Sequence, residues 1–350
     1  MQENKLPIIL LECANSHGGD KTIFEKTIKK FCKNNYKNLH IKFQPFKFDE
    51  LSTKNYKWYN VYKKLFFKED YWNKIIKLAQ SNYKGVWIDI SDNYSLKILK
   101  INIKRIYGIK LQSSALSNQI IFENLKKINL KKTNIIINVA GYDLKKVKYF
   151  YLKFLSLNCK KVTLQLGFQA YPTKISDSNL EKISILKKII DCKNISYADH
   201  LDSGDPYSIF LPITAYSFGA EIIEKHIALK GKKAKYDGFS SINYQQFDQM
   251  CENFYNYKVS LKTKSKISND EKKYLTTSIQ KAVLNKDVKS GSLISENDID
   301  YKRSNNKSVS LEKFLKRQSN YYLLKKDLKK DSPLNFSNLK KANIATIIAC

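Results

Sequence analysis

The sequence predicts a (β/α)8 barrel followed by a small all-β domain. Short apolar runs recur eight times between residue 7 and about residue 250, and amphipathic stretches separate them. Beyond that region the chain changes character and repeats itself. The eight candidate strands are residues 8–12, 40–44, 85–90, 107–111, 134–139, 162–165, 195–199 and 222–226. Intervening segments read as helices. Residues 179–190, for example, carry Leu180, Ile183, Leu186 and Ile190 at helical spacing, with lysines and acids between them. Eight β-α units in this length suit a closed barrel. The runner-up is an open doubly wound sheet, but no G-x-G-x-x-G follows the first strand. The expected division is a barrel over 1–255, a Lys/Ser/Thr-rich linker with some helix over 256–280, and a β domain over 281–350. In that last part, Asp287-Val288-Lys289-Ser290-Gly291-Ser292 recurs 40 residues later as Asp327-Leu328-Lys329-Lys330-Asp331-Ser332. Ile294 and Ile299 recur as Leu334 and Leu339 at the same offset.

The formal charge of +31 would ordinarily point to nucleic acid or an anionic surface. Arginine, the better bidentate reader of phosphate and bases, occurs only at Arg105, Arg303 and Arg317. The basic charge is therefore lysine, in a chain also rich in asparagine, isoleucine and tyrosine. We expect no nucleic-acid partner, whereas a small anionic substrate suits the excess charge. Six scattered cysteines form no C-x-x-C pair, so zinc-ribbon and redox motifs are absent. The apolar stretch 7–11 runs straight into Glu12, unlike a secretory leader, and no run reaches membrane-spanning length. These features predict a cytoplasmic protein without a membrane partner.

In a barrel, alternate strand residues face inward, and those at the C-terminal strand ends build the active site. The second strand, His40-Ile41-Lys42-Phe43-Gln44, has one polar face, which cannot pack on outer helices and should point inward. The first strand ends at Glu12 before Asn15-Ser16-His17-Gly18-Gly19-Asp20, and the fourth carries Lys110 before Gln112 and Ser113. The seventh ends in Asp199-His200, and the eighth sets Glu224 and His226 on one face. The strand ends thus offer lysines, carboxylates and up to four histidines, equipment for an anion beside a divalent metal. His40 falls at the opposite, stability end. Taken singly, each residue also has a plain structural reading: a surface lysine, a helix-capping Glu12, a core histidine beside Asp199.

Taken together these residues resemble the sialic acid synthases, which condense phosphoenolpyruvate with an N-acyl sugar. The matching elements are Glu12-Cys13-Ala14-Asn15-Ser16-His17-Gly18-Gly19-Asp20, Lys42-Phe43-Gln44, Tyr171-Pro172-Thr173 with Asn179-Leu180, Asp199-His200, Glu224-Lys225-His226, and Asp237 with Phe239-Ser240. The tail looks like that family's antifreeze-like (SAF) domain, with Lys302-Arg303-Ser304 standing for its Lys-Arg-Pro. The resemblance implies that His200 and His226 hold Mn²⁺ or Mg²⁺. It implies that Glu224 handles the attacking water and that Lys42, Lys110 and Ser113 bind phosphoenolpyruvate. Glu12, Gln44, Tyr171 and Asp237 would bind the acceptor. Arg303 would reach the other subunit's site in a domain-swapped homodimer.

Several positions depart from the family pattern. Gly-Ser-Gly-Asp/Glu after the fourth-strand lysine reads Gln112-Ser113-Ser114-Ala115 here. Ser-Thr-Gly reads Val139-Ala140-Gly141, the serine before Asp-His is Ala198, and Gln169 stands where Asn or Ser is usual. The expectation is an intact metal centre with altered substrate pockets, in which Gln169 and Gln112 supply donors lost elsewhere. The expected enzyme makes a nonulosonic acid of the N-acetylneuraminic type. The alternatives are a pseudaminic or legionaminic acid synthase with a different acceptor, and a relative that binds sugar without turnover.

Overall fold

A computed structural model of the chain describes residues 6–167, 170, 172–261, 266–305 and 322–342. The chain divides into two compact units, Met1–Lys262 and Thr263–Cys350. In the first, eight parallel strands close into a barrel: β1 (Ile8–Glu12), β2 (Leu39–Phe43), β3 (Gly85–Asp89), β4 (Gly108–Leu111), β5 (Asn134–Asn138), β6 (Lys161–Leu166), β7 (Ile195–Asp199) and β8 (Ile222–His226). Pairing of β1 with β8 closes the ring and sets Glu12 beside His226.

Helices follow each strand, and polar side chains start several of them. Asp20 Oδ1 accepts from the amides of Thr22 and Ile23 at 2.7 and 3.0 Å, where the sequence allowed Glu12 to be the cap. Asp92 and Ser95 form a reciprocal capping box, as do Asn243 and Gln246. The helix expected over 179–190 spans Lys182–Ile189, because Asn179 is in the left-handed region (φ 47°) and cannot begin it. The helix Tyr244–Ser260 runs past residue 255, and Asn269–Ser278 is helical as well.

The main core fills the space between strands and helices, with Ile9, Leu11, Ile41, Phe43, Ile109 and Ile135 facing Phe24, Phe31, Ile76 and Phe150. A second cluster, Leu10, Trp87, Ile136 and Ile222, plugs the barrel interior. Gly108 faces the Trp87 ring so closely that a β-carbon there would overlap it. His40 lies at this level too: its Nδ1 accepts from Trp87 Nε1 at 3.0 Å, and Tyr107 packs edge-on against it. The barrel interior is thus apolar and aromatic at its lower end and polar above.

The second unit contains β9 (Gln280–Leu284), β10 (Leu293–Ile294), β11 (Ile299–Arg303), β12 (Tyr322–Leu324) and β13 (Leu339–Lys341). They form an antiparallel β9–β11 pair and an antiparallel β10–β12–β13 sheet. The repeat read from the sequence is physical, and its halves exchange partners. Leu293 pairs with Leu323, and the equivalent Pro333 bridges Val283. Lys329 bonds Asp287 at 2.8 Å, and Lys289 bonds Asp327 at 2.9 Å. Ile294, Ile299, Leu334 and Leu339 share one core. Among the described residues no helix is long and apolar enough to cross a membrane, and five cysteines are free thiols.

Gly108→Ala should destabilise the barrel by about 2 kcal/mol through overpacking on Trp87. Urea denaturation followed by tryptophan fluorescence measures this, and an unchanged midpoint would contradict the packing described.

Candidate active site

The C-terminal mouth of the barrel gathers inward residues from all eight strand ends. Lys42 and Lys110, which taken singly suited a solvated surface, are 0% and 1% exposed. Lys42 pairs with Glu12, lies 2.7 Å from Asp89 Oδ1 and 3.5 Å from Glu224. Lys110 lies 2.6 Å from Glu224 Oε1. Gln165 Nε2 donates to Glu224 Oε2 and to Ser196 Oγ, both at 3.0 Å. Gln112 Nε2 donates to Asp89 Oδ2 at 3.1 Å, and Gln44 Nε2 to Glu12 Oε2 at 3.4 Å. Two ammonium groups are therefore shared among three carboxylates, with amides satisfying the remaining oxygens.

The sharing sets the protonation states. Burial alone would raise Glu224, but the ammoniums of Lys110 and Lys42 and the hydrogen bonds from Lys110 and Gln165 hold it well below the usual carboxylate range. Burial pushes Glu12 up to about 7 against the pull of Lys42, because Asp89 and Glu224 add like charge around the same cation. Burial works against the charge of Lys42, yet Asp89, Glu12 and Glu224 together keep its value well above that of an ordinary lysine.

His200 and His226 stand side by side at the ends of β7 and β8, ring centroids 5.1 Å apart and rings tilted by 60°. Burial lowers His200 to about 4, with Lys110 adding to the effect, and lowers His226 well below its ordinary value, with His200 adding. Both imidazoles are thus neutral at pH 7, the state that offers a lone pair to a divalent cation. Their backbone is fixed from the loops: Ser240 Oγ and the Thr173 amide donate to His200 O, and the Ile242 amide to His226 O. Glu224 is engaged with Lys110. Among the described residues, no group of three or more His, Cys, Asp or Glu forms a ready-made metal cage. The donor set fits an ion held by two imidazoles, its other positions open to water and substrate.

Other predicted residues are placed as follows. Asp237 adopts a left-handed conformation (φ 55°), and its Oδ2 accepts from the Asn15 amide at 2.9 Å. Burial raises its carboxyl, and that hydrogen bond opposes the rise. Ser113 opens a short 3-10 turn whose carbonyl accepts from Tyr142 Oη. His17 stacks on Phe24 at 4.4 Å, and its Nδ1 accepts from the Gly19 amide, so it belongs to the outer packing. Arg303 is an exposed residue at the end of β11 in the second unit. Gln169 and Tyr171 lie outside the described residues. A cavity of about 610 Å³ between the helices Leu144–Leu155 and Lys182–Ile189 is lined by Val139, Ala140, Leu166 and Leu186 and contains none of the mouth's lysines or histidines.

Two features escaped sequence reasoning. Asp89 ends the third apolar run two positions after the inward Trp87, so alternation alone would have found it. Lys225 and Asp199 form a buried ion pair between β8 and β7, each on the face opposite its neighbouring histidine. Each had been read only as part of a motif.

With the geometry in place, comparison with known proteins settles the lineage. The model of the NeuB family matches residues 29–266. The chain belongs to the NeuB family. It is 25% identical to the uncharacterized protein MJ1065 of Methanocaldococcus jannaschii over 84% of each chain. It is 24% identical to the N,N'-diacetyllegionaminic acid synthase of Campylobacter jejuni, over 65% of this chain and 64% of that one. In fold it resembles the crystal structure of N-acetylneuraminic acid synthetase from Leptospira borgpetersenii, with TM-score 0.65 at 20% identity, covering 78% of this chain and 91% of that one. A putative spore coat polysaccharide biosynthesis protein E from Chromobacterium violaceum gives TM-score 0.68 at 16% identity, over 95% and 99%. As a NeuB-family protein, the chain is synthase-like: relatives it matches include the N,N'-diacetyllegionaminic acid synthase and pseudaminic acid synthases of Campylobacter jejuni and the N-acetylneuraminate-9-phosphate synthase of Mus musculus.

Lys225→Met leaves Asp199 buried and unpaired, and should cost about 3 kcal/mol of stability. A double Lys225→Met/Asp199→Leu variant should recover part of that loss in urea titrations. All four histidines titrate low: burial takes His17, His40 and His200 to about 4 and His226 well below its ordinary value. Their folded values lie below the unfolded value, so stability is full above about pH 6.5 and falls as the pH drops toward 4. Glu12 acts in the opposite sense between about 7 and 4.5. The four histidines outweigh Glu12 and the raised carboxyls of Asp92 and Asp237, and unfolding in chelator should lose about 3 kcal/mol from pH 7.5 to 5.5. A flat profile would mean the histidines are not buried as described.

Proposed function

We propose that this NeuB-family barrel condenses phosphoenolpyruvate with an open-chain N-acyl hexosamine or related aldose, forming a nonulosonic acid and releasing phosphate by C–O cleavage. The observation that carries the reading is the pairing, at one barrel mouth, of two buried ammoniums with two adjacent neutral imidazoles. Lys42 and Lys110 neutralise the donor's carboxylate and phosphate, and Ser113 adds a hydrogen bond. Gln44, Tyr171 and Asp237 bind the acceptor's hydroxyls, and Gln169 replaces donors lost in the same pocket. His200 and His226 hold Mn²⁺ or Mg²⁺, which when bound supplies Lewis-acid polarisation of the acceptor aldehyde.

The two catalytic carboxyls divide the work by their environments. Glu224, kept ionised by Lys110 and Lys42, orients the water that attacks C2 of the donor-derived cation. Glu12, pushed up to about 7, is the carboxyl able to take and return a proton near neutral pH. Carbon–carbon bond formation joins C3 of the donor to the aldehyde carbon. Water then adds at C2, and phosphate departs with its bridging oxygen. We assign the protein to the cytoplasm. The second unit is read as an SAF-type domain of a domain-swapped homodimer, with Arg303 serving the other protomer's acceptor. No nucleic acid or membrane takes part.

Phosphate release from phosphoenolpyruvate, Mn²⁺ and a panel of N-acyl hexosamines tests the proposal. Release should require both acceptor and metal. His200→Ala should lower Mn²⁺ affinity about 100-fold, and Glu224→Gln should lower kcat about 1000-fold. No release with any acceptor of the panel would sink the synthase reading. Retained Mn²⁺ affinity in a His200→Ala/His226→Ala double variant would sink the metal assignment.

A further inference from the structure

Asp89 stands inside the barrel mouth, with both its oxygens occupied. Oδ1 takes the Lys42 ammonium at 2.7 Å, and Oδ2 accepts from Gln112 Nε2 at 3.1 Å. Gln112 occupies a position where the family pattern has glycine, so its side chain fills space that such a pocket leaves open. The carboxylate of Asp89 also fixes which way the Gln112 amide faces. Rotating the amide would set Oε1 against Asp89, so Nε2 must point at the carboxylate. Oε1 is then left buried, with no hydrogen-bond partner among the described residues. Around Lys42 and Lys110 the pocket therefore presents the carboxylates of Glu12, Asp89 and Glu224 and an amide oxygen. A fully ionised phosphate or carboxylate has only acceptor oxygens. On entering, it must compete with Asp89 for Lys42 and meets Gln112 Oε1 as a second acceptor.

We propose that Asp89, oriented with Gln112, is a specificity-determining positioning residue that weakens binding of anionic donors by holding Lys42 in an internal ion pair. The proposal rests on the reading that Lys42 receives the phosphoenolpyruvate anion. Glu12 and Glu224 keep Lys42 paired when Asp89 loses its charge, so the ammonium remains in place and becomes more available to a ligand. Gln112 Oε1 favours a substrate group that donates, such as a hydroxyl, over one that only accepts.

Calorimetric titration of the full chain with phosphoenolpyruvate, and separately with inorganic phosphate, tests this at low ionic strength. Asp89→Asn keeps the shape and removes the charge, and should bind phosphoenolpyruvate about ten-fold tighter, equivalent to about 1.4 kcal/mol. Asp89→Glu restores the charge and should return affinity toward that of the unaltered chain, which a purely structural role would not do. In turnover, KM for phosphoenolpyruvate should fall in Asp89→Asn by more than kcat changes. Gln112→Gly leaves the ion pairs of Lys42 in place and should also tighten binding. It serves if Asp89→Asn melts early. Equal or weaker anion binding in both variants overturns the proposal. Tighter binding in Asp89→Asn with no phosphate release from any acceptor would remove the reaction assigned above and leave the role of Asp89 standing.

Discussion

The sharing of two lysines among three carboxylates at the barrel mouth is the interaction on which the rest of this structure depends. An ammonium without water is tolerable only with opposite charge close by and every remaining lone pair satisfied. That requirement fixes the positions of Glu12, Asp89 and Glu224, and it recruits Gln44, Gln112 and Gln165 to the oxygens that the lysines leave over. It also spaces the protonation behaviour of two of these carboxyls. Glu224 sees two ammoniums and stays ionised, while Glu12 shares one with two other acids and titrates near neutrality. Different protonation behaviour for similar side chains thus follows from how the charges are divided.

The family seen in the barrel constrains the chemistry more than the substrate. The histidines and Glu224 keep the pattern that the sequence resemblance implied. Near them in the mouth stand Ala198 and Gln112, neither with a hydroxyl. The acid–amide pair of Asp89 and Gln112 stands beside Lys42. On the role proposed for Asp89, selectivity comes from what the pocket repels as well as from what it attracts.

Much of the fold was legible because a parallel barrel repeats one pattern. Strands 8–12, 195–199 and 222–226 were read to the residue, and the others within a residue or so of their ends. Ends differ where a neighbour decides them: β2 starts at Leu39 because it pairs with Ile9 of β1, which no local pattern reveals. Inward placement of Lys42, Lys110 and Glu224 followed from alternation. Their partners did not, since which carboxylate meets which ammonium depends on register between strands far apart in the chain. The engagement of Asp89 with Lys42 and the Lys225–Asp199 pair were hidden for that reason. His17 is a turn residue, as the two glycines after it suggest, but the turn folds it onto Phe24 instead of into the mouth.

The closure of β1 on β8 carries one further consequence. Glu12 comes from the first strand of the chain and His226 from the eighth, and they become neighbours only when the ring shuts. During synthesis, a chain lacking its eighth strand would have Lys42 and Glu12 in hand but neither Glu224 nor the histidine pair. Such contacts between distant segments form late and slowly. The mouth is therefore complete only at the end of barrel assembly.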